Sequence, residues 1–360
     1  MATPKSLAKE LIARFSLRSG VAAVVRRLNG TSGCPLILYY HRVCEPGSAP
    51  LPDLAVNSRI FEHQLEFLKE EFRLLSLDAA VEGLVNGKTA SSRDVALTFD
   101  DGYRDNYTCA YPILKKYGVP ATIFVTTGFI ESKREFWWDR LASLLERARG
   151  VTLDWESLPS DIFPRKVAHL LRRVAAGKVS LSAVTNCLKA QGARRVDQVI
   201  AYLQEAVGPV PPSLPAEFLS WKEIREMAGN GISFGSHSHS HTVLTALGDE
   251  AVVRELRVSK TIIRDQIGKE PTGFAYPDGW FDERTRRLVM AAGYHYAVQT
   301  HRAVPRHCLD AYSIPRRMVA NGHSRGHLEE FSNAIFASEL AGVFDLLFLR
   351  SLRARNPYGR

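Results

Sequence analysis

Three features of the sequence predict an α/β fold built on parallel strands. Apolar runs alternate with stretches of helical spacing: a strand-like run at 35–43 precedes a helix-like stretch at 57–72, and a helix-like stretch at 103–116, closed by Gly118, precedes a strand-like run at 121–125. Strand, helix, strand is the repeating unit of a parallel sheet or barrel. Second, Val95, Ala96 and Leu97 lead through Phe99 into Asp100-Asp101-Gly102, so an apolar strand stops at two carboxylates. Third, Ile232-Ser233-Phe234 leads into His237-Ser238-His239-Ser240-His241. Reactive groups collect at strand ends in such folds because a rigid sheet holds the loops there.

Two carboxylates at one strand end and spaced histidines at another suggest one metal site. A divalent ion such as zinc takes imidazole nitrogen and carboxylate oxygen, and a catalytic site leaves room beside three protein ligands for water. Histidines four apart face the same way on a helical turn, so His237 and His241 would grip one ion together. One of Asp100 and Asp101 would be the third ligand. The other would take a proton from water made acidic by the ion, which describes a water-activating hydrolase.

Thr98-Phe99-Asp100-Asp101-Gly102 followed by His237-Ser238 and His241 resembles the first two motifs of the polysaccharide deacetylase family, the nodulation-protein-B-like carbohydrate esterases. The resemblance runs from about residue 35 to 318, broken by one long insertion. It implies a distorted (β/α) barrel, with Asp100 as general base and Asp101, His237 and His241 as ligands. It further implies metal-dependent hydrolysis of N-acetyl groups from amino sugars of a glycan, releasing acetate. Zinc is the default ion, and cobalt, nickel or iron would suit the same ligands. Two competing readings are an amidohydrolase acting on a small non-sugar amide and an idle glycan-binding barrel.

The remaining elements are read in chain order. Residues 1–33 form a helix-like segment mixing Leu7, Leu11, Ile12, Phe15 and Leu17 with Lys5, Lys9 and Arg14. It lacks the compact apolar centre and cleavage site of a secretory signal. A basic amphipathic helix would lie on a membrane surface or pack on the barrel. The barrel is expected over 34–327. Its first unit, with Tyr40-His41-Arg42-Val43 and the pattern Phe61-Glu62, Gln64-Leu65, Phe67-Leu68, resembles that of exopolysaccharide deacetylases. His41 stands at a strand end, where it would line the cleft or serve structure.

From about 131 to 215 the strand pattern gives way to Leu, Ala and Arg with helical periodicity, closed by Gly208-Pro209-Val210-Pro211-Pro212. This reads as a helical insertion ending in a stiff linker, either covering one rim of the cleft or bracing the barrel. Ser220, with Glu223 three residues on, forms a capping box that opens the next helix. If the histidine segment turns, His239 points away as a rim residue; if it stays extended, three histidines share one face. The stretch 250–266 reads as an amphipathic helix with a solvated charged face.

Phe274-Ala275-Tyr276-Pro277-Asp278-Gly279 resembles the family's third motif with departures. Ala275 stands where many members carry an Arg that steers the base, and Asp278 stands where an aromatic is common. The Asp278 backbone N–H would still serve as oxyanion donor. Arg316, after Ile314-Pro315, is either the replacement for that Arg or a surface residue. No Leu-x-His supplies the usual general acid; His41, His301 and His323 are the substitutes, His41 first. The tail, 328–360, includes an expected apolar helix at 340–352.

With 45% apolar and 24% charged residues, the 360-residue chain has material for a core. No apolar run is long enough to span a membrane. The net charge of +9 favours anionic partners. Its Lys and Arg are scattered without interleaved aromatics, which argues against a nucleic-acid partner; the family resemblance implies an N-acetylated glycan as substrate, and peripheral membrane contact is open to the terminal helices. Five cysteines without a Cys-x-x-Cys argue against a disulfide framework or a zinc knuckle. A bacterial enzyme, cytoplasmic or membrane-peripheral, is the expectation.

Overall fold

Most of the apolar runs pair side by side in one parallel sheet. The computed structural model describes residues 4–30, 35–45, 51–86, 90–148, 154–155, 158–208, 218–300 and 310–347. His301, Cys34, Cys308, the Pro-rich stretch after Gly208 and everything past 347 lie outside the described residues. The strands are β1 (Leu36–Tyr40), β2 (Arg42–Cys44), β3 (Ala55–Asn57), β4 (Arg73–Leu75), β5 (Asp94–Phe99) and β6 (Ala121–Val125), then β7 (Ile232–Ser236), β8 (Gly273–Ala275), β9 (Tyr296–Gln299), β10 (Ile314–Pro315) and β11 (Arg317–Met318).

The main sheet runs β10-β9-β8-β7-β6-β5-β1-β11. β1 lines one edge of β5 from Val95 to Phe99, while β4 and β6 divide the other edge between them. β2 and β3 form a separate pair. The outermost strands, β10 and β11, are joined through Arg316 alone. The row therefore curls back on itself into a nearly closed barrel. The interior agrees: Ile37, Ala96, Phe124, Ala275, Val298 and Ile314 come from six strands and meet in one cluster.

The helices are α1 (Pro4–Arg18), α2 (Val21–Gly30), α3 (Ser58–Glu71), α4 (Leu77–Val85), α5 (Tyr111–Tyr117), α6 (Trp137–Ala148), α7 (Arg165–Ala175), α8 (Leu181–Lys189), α9 (Ala193–Val207), α10 (Trp221–Gly229), α11 (Asp249–Ile267), α12 (Glu283–Ala291), α13 (Asn333–Ala341) and α14 (Val343–Leu347). Local chemistry sets their ends. Asn57 caps α3 by accepting from the Arg59 N–H, and Ser220 with Glu223 makes the expected box at α10. Gly118 closes α5 in the left-handed conformation (φ 64°). Leu77, Ala80 and Val81 of α4 join the barrel's inner cluster.

The chain divides into two units, and the barrel unit comprises Met1–Pro46, Leu54–Ser132 and Phe218–Arg360. The other comprises Gly47–Asp53 and Lys133–Glu217. In it, α6 to α9 close on a core of their own, including Leu141, Phe163, Leu171, Val184, Val199 and Leu203. Among the described residues no helix is long and apolar enough to cross a membrane.

Three sequence expectations need correction. The run 35–43 is not one strand: the chain leaves the barrel at His41 and pairs afresh with β3. The helix expected over 103–116 opens as a wider π turn at Asn106–Ala110 before α5. The apolar tail helix is broken at Gly342 (φ 85°) into α13 and α14.

Gly235 shows how tightly β7 is packed. A Cβ there would lie 2.4 Å from the Phe124 ring and 3.0 Å from the Gly273 carbonyl oxygen. Gly235→Ala is expected to destabilise the protein by about 1–3 kcal/mol through overpacking. Urea denaturation reads this directly, and an unmoved midpoint would show that Phe124 has room to retreat.

Candidate active site

Asp100, Asp101, His237, His41, Asp278 and Arg316 stand where barrel strands end. Asp100 and Asp101 follow β5, His237 follows β7 and His41 follows β1. Asp278 lies in the turn after β8, and Arg316 is the link between β10 and β11. Because every strand of the barrel is parallel, these ends share one face.

Asp101, His237 and His241 each offer a ligand atom, and those atoms lie within 4.8 Å of one another. The Nε2 atoms of His241 and His237 lie 3.3 and 3.6 Å from Asp101 Oδ1. That oxygen is buried, and no hydrogen-bond partner is found for it among the described residues. Burial alone would raise the Asp101 pKa, but contact with His241 and the surrounding imidazoles outweigh it and hold the carboxyl well below its usual range. His237 donates its Nδ1–H to the Ala275 carbonyl (2.8 Å), which leaves Nε2 as a bare lone pair facing Asp101. Burial pushes this imidazole down to about 4, so it is neutral at pH 7. A buried carboxylate oxygen and a neutral, oriented imidazole nitrogen facing it fit a divalent cation.

The histidine pair does not form on a helical turn. After β7 the chain bends, with Ser238 (φ 64°) and His241 (φ 61°) left-handed, and the two rings still meet edge-on at 4.7 Å. Asp101 (φ 76°) and Asp278 (φ 56°) are left-handed too. Such non-glycine conformations are uncommon, and here most of them crowd one face. His239 turns away, its Nδ1 lying 2.9 Å from Thr127 Oγ1.

Asp100 is gripped from the opposite side. Arg316 donates from Nη1 to Oδ1 (2.8 Å) and from Nη2 to Oδ2 (2.7 Å), a bidentate pair with both side chains essentially inaccessible. Nη1 also donates to Thr98 Oγ1, Nε reaches the Gln299 carbonyl, and the guanidinium lies over the rings of Tyr39 (4.7 Å) and Phe124 (5.5 Å). Burial opposes ionisation of Asp100, but the Arg316 charge, aided by the imidazoles of His237 and His41 and the Arg316 hydrogen bonds, keeps its pKa below the ordinary value.

His41 is held by its backbone. Its carbonyl accepts from Asn106 Nδ2 (2.9 Å), and Asp105 pairs with the neighbouring Arg42 (2.6 Å). The His41 Nδ1 is buried with no hydrogen-bond partner among the described residues. His323 is committed elsewhere, its Nδ1 accepting from the Ala320 N–H (2.9 Å). Asp278 is fixed through its carbonyl, which accepts from Thr300 Oγ1 (3.0 Å).

The model of the polysaccharide deacetylase family matches residues 87–297, more than half the chain. The chain belongs to the polysaccharide deacetylase family. It is accordingly a hydrolase of non-peptide carbon–nitrogen bonds. Over 289 residues this deacetylase is 24% identical to YxkH of Bacillus subtilis, named as a polysaccharide deacetylase, an alignment spanning 80% of this chain and 72% of that one. It is 31% identical over 119 residues to the poly-β-1,6-N-acetyl-D-glucosamine N-deacetylase of Staphylococcus epidermidis, spanning 30% of this chain and 41% of that protein. Its fold is similar to the deacetylase PplD of Streptococcus pyogenes (TM-score 0.53, 21% identity, 82% of this chain and 95% of that one). IcaB of Ammonifex degensii gives 0.54 at 18% identity, over 85% and 97%.

One support of the site was not legible in the sequence. Glu255, on what reads as the solvated face of α11, accepts from the backbone N–H groups of His239 and Ser240 (2.8 Å each) and from Ser240 Oγ. Only the fold brings α11 behind the histidine loop. If the Asp101, His237 and His241 cluster takes added zinc, Glu255→Ala is expected to lower that affinity by roughly 10–100-fold, because the histidine loop loses the carboxylate that holds its backbone. Competition against a chromophoric chelator measures this; an unchanged affinity would show that the loop keeps its shape without Glu255.

Proposed function

We propose that this deacetylase removes N-acetyl groups from amino sugars of a polysaccharide by metal-dependent hydrolysis, releasing acetate. The observation that carries the reading is the placement of two adjacent carboxylates in opposite company, Asp101 among imidazoles and Asp100 on Arg316. Asp101, His237 and His241 would hold a divalent ion, with zinc the default for two imidazoles and a carboxylate. When bound, such an ion supplies Lewis acidity to the acyl carbonyl and to water.

The chain's own groups divide the remaining work. Asp100, kept ionised, accepts the proton of the attacking water as general base, and Arg316 holds its carboxylate in a single orientation. The Asp278 N–H serves the carbonyl oxygen as it gains charge. His41 protonates the departing nitrogen, which leaves as the free amine of the sugar. The N-acetylglucosamine polymer named for the staphylococcal relative supports this substrate class.

Asp101→Ala and His241→Ala are expected to lose bound metal together with activity. Asp100→Asn is expected to keep the metal and lose about 10²–10⁴-fold in kcat on an N-acetylglucosamine oligomer, since base catalysis contributes on that scale. Metal analysis beside an acetate-release assay separates the two classes. A metal-free native protein that takes up none when offered would overturn the mechanism. His41→Gln should lower kcat by a similar ~10²-fold or more with KM little changed. Full activity in that variant would remove His41 from the acid's role.

A further inference from the structure

The N-terminal helices present their large apolar side chains outward. α1 buries Glu10, Ala13 and Ser16, while Leu11 and Phe15 remain 59% and 69% exposed. Its buried side is well seated: Ala13 packs with Ile335 and Phe344, Ser16 Oγ lies 2.9 Å from Ser338 Oγ, and Lys9 pairs with Glu339. α2 does likewise, packing Ala22 and Val25 against Ala341 and Val343 and exposing Val24 (58%) and Leu28. Ile12, Ala13, Ala22 and Val25 thus pack toward the α13–α14 support, while Leu7, Leu11, Phe15, Val24 and Leu28 face away from it. A surface helix that only packed would turn such a row of large apolar residues inward.

The outward residues follow helical spacing. Leu7, Leu11 and Phe15 recur every fourth position on α1, and Val21, Val24 and Leu28 form the matching row on α2. Arg14 and Arg18 fall on the same side of α1 as Leu11, and Arg27 lies beside the row on α2. Leu346 and Leu347 of α14 are exposed as well. Glu10 is the single carboxylate of the two helices, and it is buried against Arg14 (2.7 Å) and His327 (2.6 Å). The outer face of the two helices is therefore apolar and cationic, with no exposed acid on either helix and the exposed Glu330 beside Arg14 at its edge.

We propose that this face of α1 and α2 docks on an anionic lipid surface. Leu7, Leu11, Phe15 and Val24 enter the boundary between headgroups and acyl chains, and Arg18 and Arg27 stay level with the phosphates. Charge selects this occupant over a second copy of the chain, since a self-paired face would set the same arginines against each other. The helices lie on the bilayer rather than cross it, being too short and too polar to span. None of these residues belongs to the strand-end site, so the proposal stands apart from the hydrolase chemistry.

Cosedimentation of the full chain with phosphatidylcholine vesicles, with and without phosphatidylglycerol, tests it. The wild type is expected to sediment with the phosphatidylglycerol vesicles and to be released by salt. Leu11→Ser with Phe15→Ser is expected to weaken this by on the order of tenfold or more, as is Arg18→Glu with Arg27→Glu, with unchanged circular dichroism and denaturation midpoints. A wild type that stays in the supernatant overturns the proposal. So does equal binding by the serine variant. Reversible self-association in sedimentation velocity, abolished by the serine pair, also overturns it and assigns the face to a second copy.

Discussion

A guanidinium and a carboxylate, both withdrawn from water, meet where the barrel closes. Withdrawing either ion alone would cost several kcal/mol, and a pair repays that only with good geometry and satisfied hydrogen bonds. Arg316 and Asp100 meet both conditions: two parallel bonds, with Thr98 and the Gln299 carbonyl taking further guanidinium N–H groups. The pair also spans the seam of the fold, because Arg316 is the residue between β10 and β11 while Asp100 ends β5. Barrel closure and orientation of Asp100 are thus one event. A sheet that failed to curl would leave a charged Arg316 with nothing to face.

The same face holds several residues in left-handed backbone, at Asp101, Ser238, His241 and Asp278. Each is a conformation that side chains disfavour, so the surroundings must impose it. They do so with backbone hydrogen bonds. Leu219 N–H binds the Gly102 carbonyl, Gly128 N–H binds the His239 carbonyl, and Glu255 takes two N–H groups of the histidine loop. Gly128 is needed for this, since a Cβ there would lie 2.6 Å from the His239 carbonyl oxygen. This backbone brings the side-chain atoms of Asp101, His237 and His241 within 4.8 Å of one another, and the rigid strands behind them keep it from relaxing.

Much of this was legible in the sequence because the signals were local. Apolar runs stopping at Asp100-Asp101 and at Ser236-His237 report strand ends directly, and Ser220 with Glu223 reports a helix start. What was not legible depends on long-range placement. The break of the first strand at His41 follows from pairing between β2 and β3, which no periodicity reveals. The π turn at Asn106 has no pattern distinct from a helix, yet Asn106 reaches across to the His41 carbonyl. Glu255 reads as solvated because helical spacing reports a face, not what another loop brings to it. The bend that joins His237 to His241 is hidden for a related reason: spacing of four suits a helix and a tight bend alike.

The absence of arginine at 275 illustrates how a barrel tolerates change at its strand ends. What position 275 contributes to the strand-end cluster is its carbonyl, which receives the His237 Nδ1–H whatever side chain is present. Asp100 nevertheless has a guanidinium beside it. Strand ends of a closed barrel converge on one space, so that charge need not come from β8. Arg316 delivers it from the β10–β11 junction, in contact with the rings of Tyr39 and Phe124. Both carboxylate oxygens of Asp100 are then already occupied, and a second buried cation at 275 would have no counter-charge of its own to meet. Ala275, fully buried in the inner cluster beside Phe124, is the side chain that such an arrangement favours.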